Sequence, residues 1–216
     1  MPHQTFFNLP AEKREQILEV AIDEFADNDY DSASISRIVA RTGIAKGSFY
    51  QYFADKEDLY AYLLGLLAQA KVEFLSLDHP DPQHVGIFAY LRWMAEAGVA
   101  FELAHPKLSR IGLRAAAAGK YPKAFNDQVR GATVAFYSRL VEVGKQQGDI
   151  APDVDPLLAA FMFETMMANL GRYLFEQVVD PASLLQRDRR ALFDLPEVRA
   201  ALTGTIAILE HGLRGA

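Results

Sequence analysis

Ser34-Ile35-Ser36-Arg37-Ile38-Val39-Ala40-Arg41-Thr42-Gly43-Ile44-Ala45-Lys46-Gly47-Ser48-Phe49-Tyr50-Gln51-Tyr52-Phe53 is the stretch that decides the fold. It reads as two short helices around a tight turn, with Gly43 where a left-handed residue is needed. Ser34 can cap the first helix, which runs to Thr42. The second covers Lys46 to Phe53. Ile38, Val39, Ile44, Phe49 and Phe53 can pack inward against Ile17, Ala21 and Phe25, which share one stripe of a preceding helix that starts at Pro10 and stops at Asn28. That packing fixes the angle between the short helices and leaves Lys46, Gly47, Ser48, Gln51 and Tyr52 on the outer side of the second.

Outward from this stretch the chain continues as helices. Asp55 can cap a long helix to Leu75, with Asp58 in the box position. Beyond Asp78-His79-Pro80-Asp81-Pro82 the sequence is richer in Ala, Leu and Phe, and predicts helices at 83–104, 106–118, 122–147, 156–178 and 195–213, with Pro or Gly at the breaks, Pro181 among them. No alternating strand pattern is found. The expected fold is all-α: a three-helix head at residues 1–54 carrying the helix-turn-helix, joined by a long helix to a larger helical bundle body within 55–216.

The outward residues of the second helix suit a DNA major groove, where a recognition helix presents its N-terminal residues to base edges. Lys46 can reach guanine or a phosphate, and Gln51 can pair with adenine. Gly47 lets the backbone come close. Ser48 and the Tyr52 hydroxyl can bond phosphates, as can a helix N-terminus. Lys56 lies within reach of the backbone. The net charge of −6 argues against a nucleic-acid binder. Locally the balance reverses: residues 33–56 hold Arg37, Arg41, Lys46 and Lys56 against Asp55 alone, a balance of +3. Arg37 and Arg41 are expected to be solvated or to steer phosphates. The acid of the first helix and its exit loop is expected to face away from the duplex.

Ser34 to Leu59, with Arg14, Ile17, Leu18, Ala21, Phe25 and Tyr30 before it, resembles the head of the TetR family of transcriptional regulators. The resemblance covers the first quarter of the chain. It implies a homodimeric repressor of a palindromic operator, with a small-molecule pocket in the body and a dimer seam on the last two long helices. Residue by residue it assigns phosphate contacts to Ser34, Ser36, Ser48, Tyr52 and Lys56, with Tyr50 in second place. Base contacts fall to Lys46, Gly47 and Gln51.

The body itself offers less. Trp93, Tyr137, Phe163, Glu164, Met167 and Tyr173 are the expected lining of an apolar effector pocket with a few polar groups. Glu96 and Glu102 are expected on half-exposed helix faces. Phe161, Thr165 and Ala168 on one helix, with Val198, Ala201, Leu202, Thr205 and Leu209 on the last, are the expected dimer interface. The expected partners are a double-stranded DNA operator, a second copy of the chain and a small-molecule effector, with no membrane. Phe6 and Phe7 are expected to dock on the head.

The chain contains no cysteine, which excludes disulfides, thiolate metal sites and cysteine nucleophiles. That fits a reducing cytoplasm. The first residues do not read as a secretory leader. No nucleophile elbow, Walker loop or dinucleotide fingerprint is present, and the five histidines have no ligand spacing. No enzyme, cofactor or metal is therefore expected. The alternative reading is a helical ligand-binding or catalytic module in which the helix-turn-helix is only structural.

Overall fold

The computed structural model describes residues 1–77, 79–119, 121–178 and 193–213, and of residues 123–130 only the backbone. Asp78 and the expected break at Pro181 lie outside the described residues. The helices are α1 (Gln4–Phe7), α2 (Ala11–Asp27), α3 (Ile35–Thr42), α4 (Lys46–Tyr52), α5 (Lys56–Leu75), α6 (Pro82–Val85), α7 (Ile87–Ala104), α8 (Pro106–Ala118), α9 (Lys123–Gln147), α10 (Pro156–Tyr173) and α11 (Pro196–Leu213). No strand occurs among the described residues. None of the described helices is long and apolar enough to cross a membrane.

The chain forms two compact units, Met1–Ala70 with His105–Gln128 and Lys71–Ala104 with Val129–Ala216. The expected boundary at 54/55 is displaced. Leu59, Tyr60, Leu63 and Leu64 of α5, with Ile111 and Ala115 of α8, join the core built by Ile17, Ala21, Phe25, Ile38, Phe49 and Phe53. A head of α2, α3 and α4 alone leaves that apolar surface uncovered, so α5 and α8 complete it.

Local signals explain the head. The Ser34 hydroxyl accepts the Arg37 N–H at the start of α3, and Gly43 ends it at φ 66°. Asp55 Oδ1 accepts the Asp58 N–H at 2.8 Å, and Asp58 Oδ2 accepts the Ala54 N–H at 3.1 Å, a reciprocal cap for α5. Phe6 is fully buried against Phe53, Tyr52 and Tyr62. Phe7 stays half exposed, meeting Phe6 and Tyr62 edge-on.

In the second unit, Ile87, Tyr90, Leu91, Tyr137, Val141, Phe163, Ile206 and Leu209 share one cluster, and Val99, Leu170, Leu174, Val198 and Leu202 another. The helix expected over 83–104 is broken at Gly86, whose φ of 83° is open to glycine. Asp149 then caps α7 by accepting the Ile87 N–H at 2.9 Å. α10 does not run evenly to Val178 but passes into a π-helical turn at Leu174–Val178.

Candidate functional site

α4 is a helix of only seven residues, too short to hold its shape alone. It is held from three sides. Phe49 anchors it, fully buried. Gly43, Ile44 and Ala45 make the turn from α3, and Lys13 Nζ donates to the Thr42 carbonyl at 2.8 Å. At its far end the carbonyls of Gln51 and Tyr52 are occupied by the N-terminal segment. His3 N–H donates to Tyr52 O at 2.8 Å, and Thr5 Oγ1 donates to Gln51 O. This clamp joins positions almost fifty residues apart, so helical periodicity carries no trace of it.

Held in this way, α4 turns Lys46, Gly47, Tyr50 and Gln51 to solvent, with Ser48 half-buried. Tyr52 is also half-buried and packs on the head core, its ring 6.2 Å from that of Phe6. Tyr50, given second place by the sequence, is the more exposed of the two tyrosines. Ser36 is exposed on α3, and Ser34 is half-buried with its hydroxyl engaged as the α3 cap. A Cβ built on Gly47 meets nothing within 4 Å. Packing within the chain therefore does not demand glycine there, although glycine costs a helix about 1 kcal/mol against alanine.

The charges are arranged differently from the sequence expectation. Glu24, at 4% exposure, accepts from Arg37 Nε at 2.9 and 3.1 Å and from the Ser34 N–H at 2.8 Å. Burial alone would raise this carboxyl, but the Arg37 and Ser34 hydrogen bonds outweigh it and hold it below its ordinary value. Asp23 binds Lys107 and, at 2.8 Å, Arg41, and is lowered by both. Two acids of α2 thus pair with α3 and α8: Glu24 with Arg37, and Asp23 with Arg41 and Lys107. Lys56 is likewise committed. Its ammonium donates to the carbonyls of Tyr30, Asp31 and Ala33 at 2.8–3.2 Å and lies 4.6 Å from the Tyr30 ring centroid. Of the four cations counted in residues 33–56, Lys46 alone has no partner among the described residues.

The phosphate role for Lys56 is corrected accordingly: it ties the 30–33 loop to the start of α5. Lys56→Ala should lower the melting temperature and leave the slope of log K against log salt unchanged. A slope flattened by about 0.9, the share of one phosphate, with melting unchanged, would return Lys56 to the DNA.

In the second unit, Tyr137 and Phe163 are buried with ring centroids 6.4 Å apart. Trp93 and Met167 are partly buried against the same cluster. Glu164 is half-buried, and its charge adds to the burial that raises the Tyr137 hydroxyl. Tyr173 is corrected: at 51% exposure it lies on the outside of α10 and lines no interior. Glu102 has a buried end. The residue as a whole is half-buried, but its carboxyl packs against Gly171, with Oε2 out of reach of solvent. A cleft of about 220 Å³ lies in the first unit, lined by Tyr30, Glu57, Tyr60, Tyr121 and Pro122. The sequence reading named none of these as a lining.

The expected dimer residues divide into two sets. Val198, Leu202 and Leu209 are buried within the chain, so that part of the seam is corrected. They face α7 and the π-helical turn. Phe161, Thr165 and Ala168 are exposed on α10, beside Leu157, Leu158 and Met162. On α11, Ala201 and Thr205 are half-buried and lie on the side that carries the exposed Gly204 and Ile208.

Two short helices at a fixed turn, the second offering a polar face and a bare glycine to solvent, define a helix-turn-helix DNA-binding protein. Residues 17–63 match the family described as bacterial regulatory proteins, tetR family. Residues 85–214 match the tetracyclin repressor-like C-terminal domain. A TetR family transcriptional regulator from Chloroflexus aurantiacus J-10-FL is 42% identical, with a TM-score of 0.81 and 100% of both chains covered. The transcriptional repressor BepR of Brucella suis is 24% identical over 176 residues, 77% of this chain and 80% of that protein. The A-factor receptor protein of Streptomyces griseus is 28% identical over 149 residues, 67% of this chain, and the match spans about half (48%) of that protein. The chain belongs to the TetR family and is a DNA-binding transcriptional regulator.

Proposed function

We propose that the chain is a repressor that binds a palindromic operator as a homodimer and is released by a small molecule held in its second unit. The observation that carries this reading is the solvent face of α4, with Lys46, Gly47, Tyr50 and Gln51 presented together. Lys46 and Gln51 carry the groups that read purine edges, and Gly47 allows close approach. Ser36, Ser48 and Tyr50 supply hydroxyls for phosphates. Repression and response to a ligand are supported by the relatives, one named a repressor and another a receptor. Dimerisation is supported by the exposed apolar face of α10, with Phe161 at 61%, and by Ile208 on α11 at 70%. A monomer gains nothing from such surface.

α5 and α9 each begin in the first unit and end in the second. A ligand can shift the DNA-binding equilibrium only by its difference in affinity for the two states, and these two helices give it a covalent route to the head.

Alanine at Lys46, Ser48 and Tyr50, the exposed tyrosine of α4, together tests the reading. Operator affinity should fall to the non-specific level while the helical circular dichroism is kept. A folded triple variant with wild-type operator affinity would leave the helix-turn-helix as packing only, which is the alternative module.

A further inference from the structure

Glu102 sits near the end of α7, and its carboxyl packs against Gly171 of α10. A Cβ built on Gly171 would stand 1.9 Å from Oε2 and 2.6 Å from Oε1, so only glycine leaves room for the carboxyl. Oε2 has no hydrogen-bond partner among the described residues and no contact with solvent. The chain around it is apolar. Leu170 and Leu174, which flank Gly171, are buried in one cluster with Val99, and Leu103, Met167 and Phe175 pack on it.

The carboxyl is not balanced from within the chain. Burial pushes it above its ordinary value, and the field of Lys71 only partly offsets this. A buried acceptor left without a donor costs more than a hydrogen bond returns, and more again when it is charged. Proteins seldom keep one unless something supplies the donor. Three residues past Gly171, α10 gives way to the π-helical turn at Leu174–Val178. Such turns occur frequently at functional sites.

We propose that Glu102 is the polar anchor of the ligand site in the second unit and that it selects an organic cation, an alkyl- or arylammonium with an apolar body. This rests on the reading of the chain as a ligand-responsive regulator. An ammonium supplies the missing donor together with a compensating charge. A neutral alcohol supplies the donor alone, and a carboxylate of the same shape is repelled. Gly171 is the residue that lets the anchor reach its position.

The full-length protein is titrated with phenylpropylamine, phenylpropanol and phenylpropanoate. The readouts are the fluorescence of Trp93, the single tryptophan, and release of operator DNA. Wild type should bind the amine at least about tenfold more tightly than either of the others, a difference of about 1.4 kcal/mol. Glu102→Gln should erase that preference, and Gly171→Ala, which displaces the carboxyl, should weaken it. Each variant is compared at matched helical circular dichroism. If a variant does not fold, the wild-type order of affinities still decides. Preference for the acid or the alcohol, an order unchanged in Glu102→Gln, or no binding of any of the three to wild type would overturn the proposal. Operator binding by the unliganded protein is measured first. Its failure sinks the regulator reading itself, whereas intact operator binding without a preference for the amine sinks this inference alone.

Discussion

On the proposed homodimer, a glutamate in place of Phe161 or Ile208 should give monomers and lower operator affinity by about 10²–10⁴-fold, the gain that linking two heads provides. Both side chains are exposed, at 61% and 70%, so neither is needed to fold one chain. A glutamate at either site is therefore solvated in the monomer. In the dimer it becomes an unpaired buried carboxylate, which is strongly unfavourable. One recognition helix touches few base pairs, so a separated head keeps only weak, sequence-independent binding. Light scattering and operator titration check this together. A variant that stays dimeric with full affinity would remove α10 or α11 from the seam. Leu202→Glu is no substitute: at 3% exposure it faces the interior of its own chain, and charging it damages folding instead.

Phe49→Ala should cost about 3–5 kcal/mol of stability, the range for emptying a buried phenylalanine site. Phe49 is the one buried residue of α4, and its ring stands 5.5 Å from that of Phe53. Without it a helix of seven residues has no purchase on the core. Operator affinity should fall with stability although Lys46, Gly47 and Gln51 are untouched, because the loss is one of presentation. Thermal melting followed by circular dichroism is the check. An unchanged midpoint would mean that the His3 and Thr5 clamp, not Phe49, holds α4.

Much of the head was legible because its signals are local. Gly43, the Ser34 cap and the Asp55–Asp58 box each act within four residues, and the structure places them as the spacing implies. What escaped is what acts across the fold. Arg37 and Glu24 stand thirteen positions apart, and Arg41 and Asp23 eighteen. A count of charges along the chain gave +3 where pairing leaves Lys46 without a partner among the described residues. The last helix shows a second limit. α11 is apolar on two sides, with Val198, Leu202, Ile206 and Leu209 inward and Gly204 and Ile208 outward. Periodicity finds both stripes and cannot say which one the chain itself covers. Glu102 escaped for a related reason. An acidic residue late in a helix reads as solvated, and only the missing side chain at Gly171, sixty-nine positions away, lets it turn inward.

The most direct test of the DNA-binding account is selection of binding sites from random duplexes by the wild-type protein. The expected result is a two-fold symmetric motif whose half-sites lie about 10–10.5 base pairs apart, centre to centre, or a multiple of that, with Gln51→Ala relaxing one position in each half. Recovery of no enriched sequence, or of a single unpaired half-site, would contradict the account.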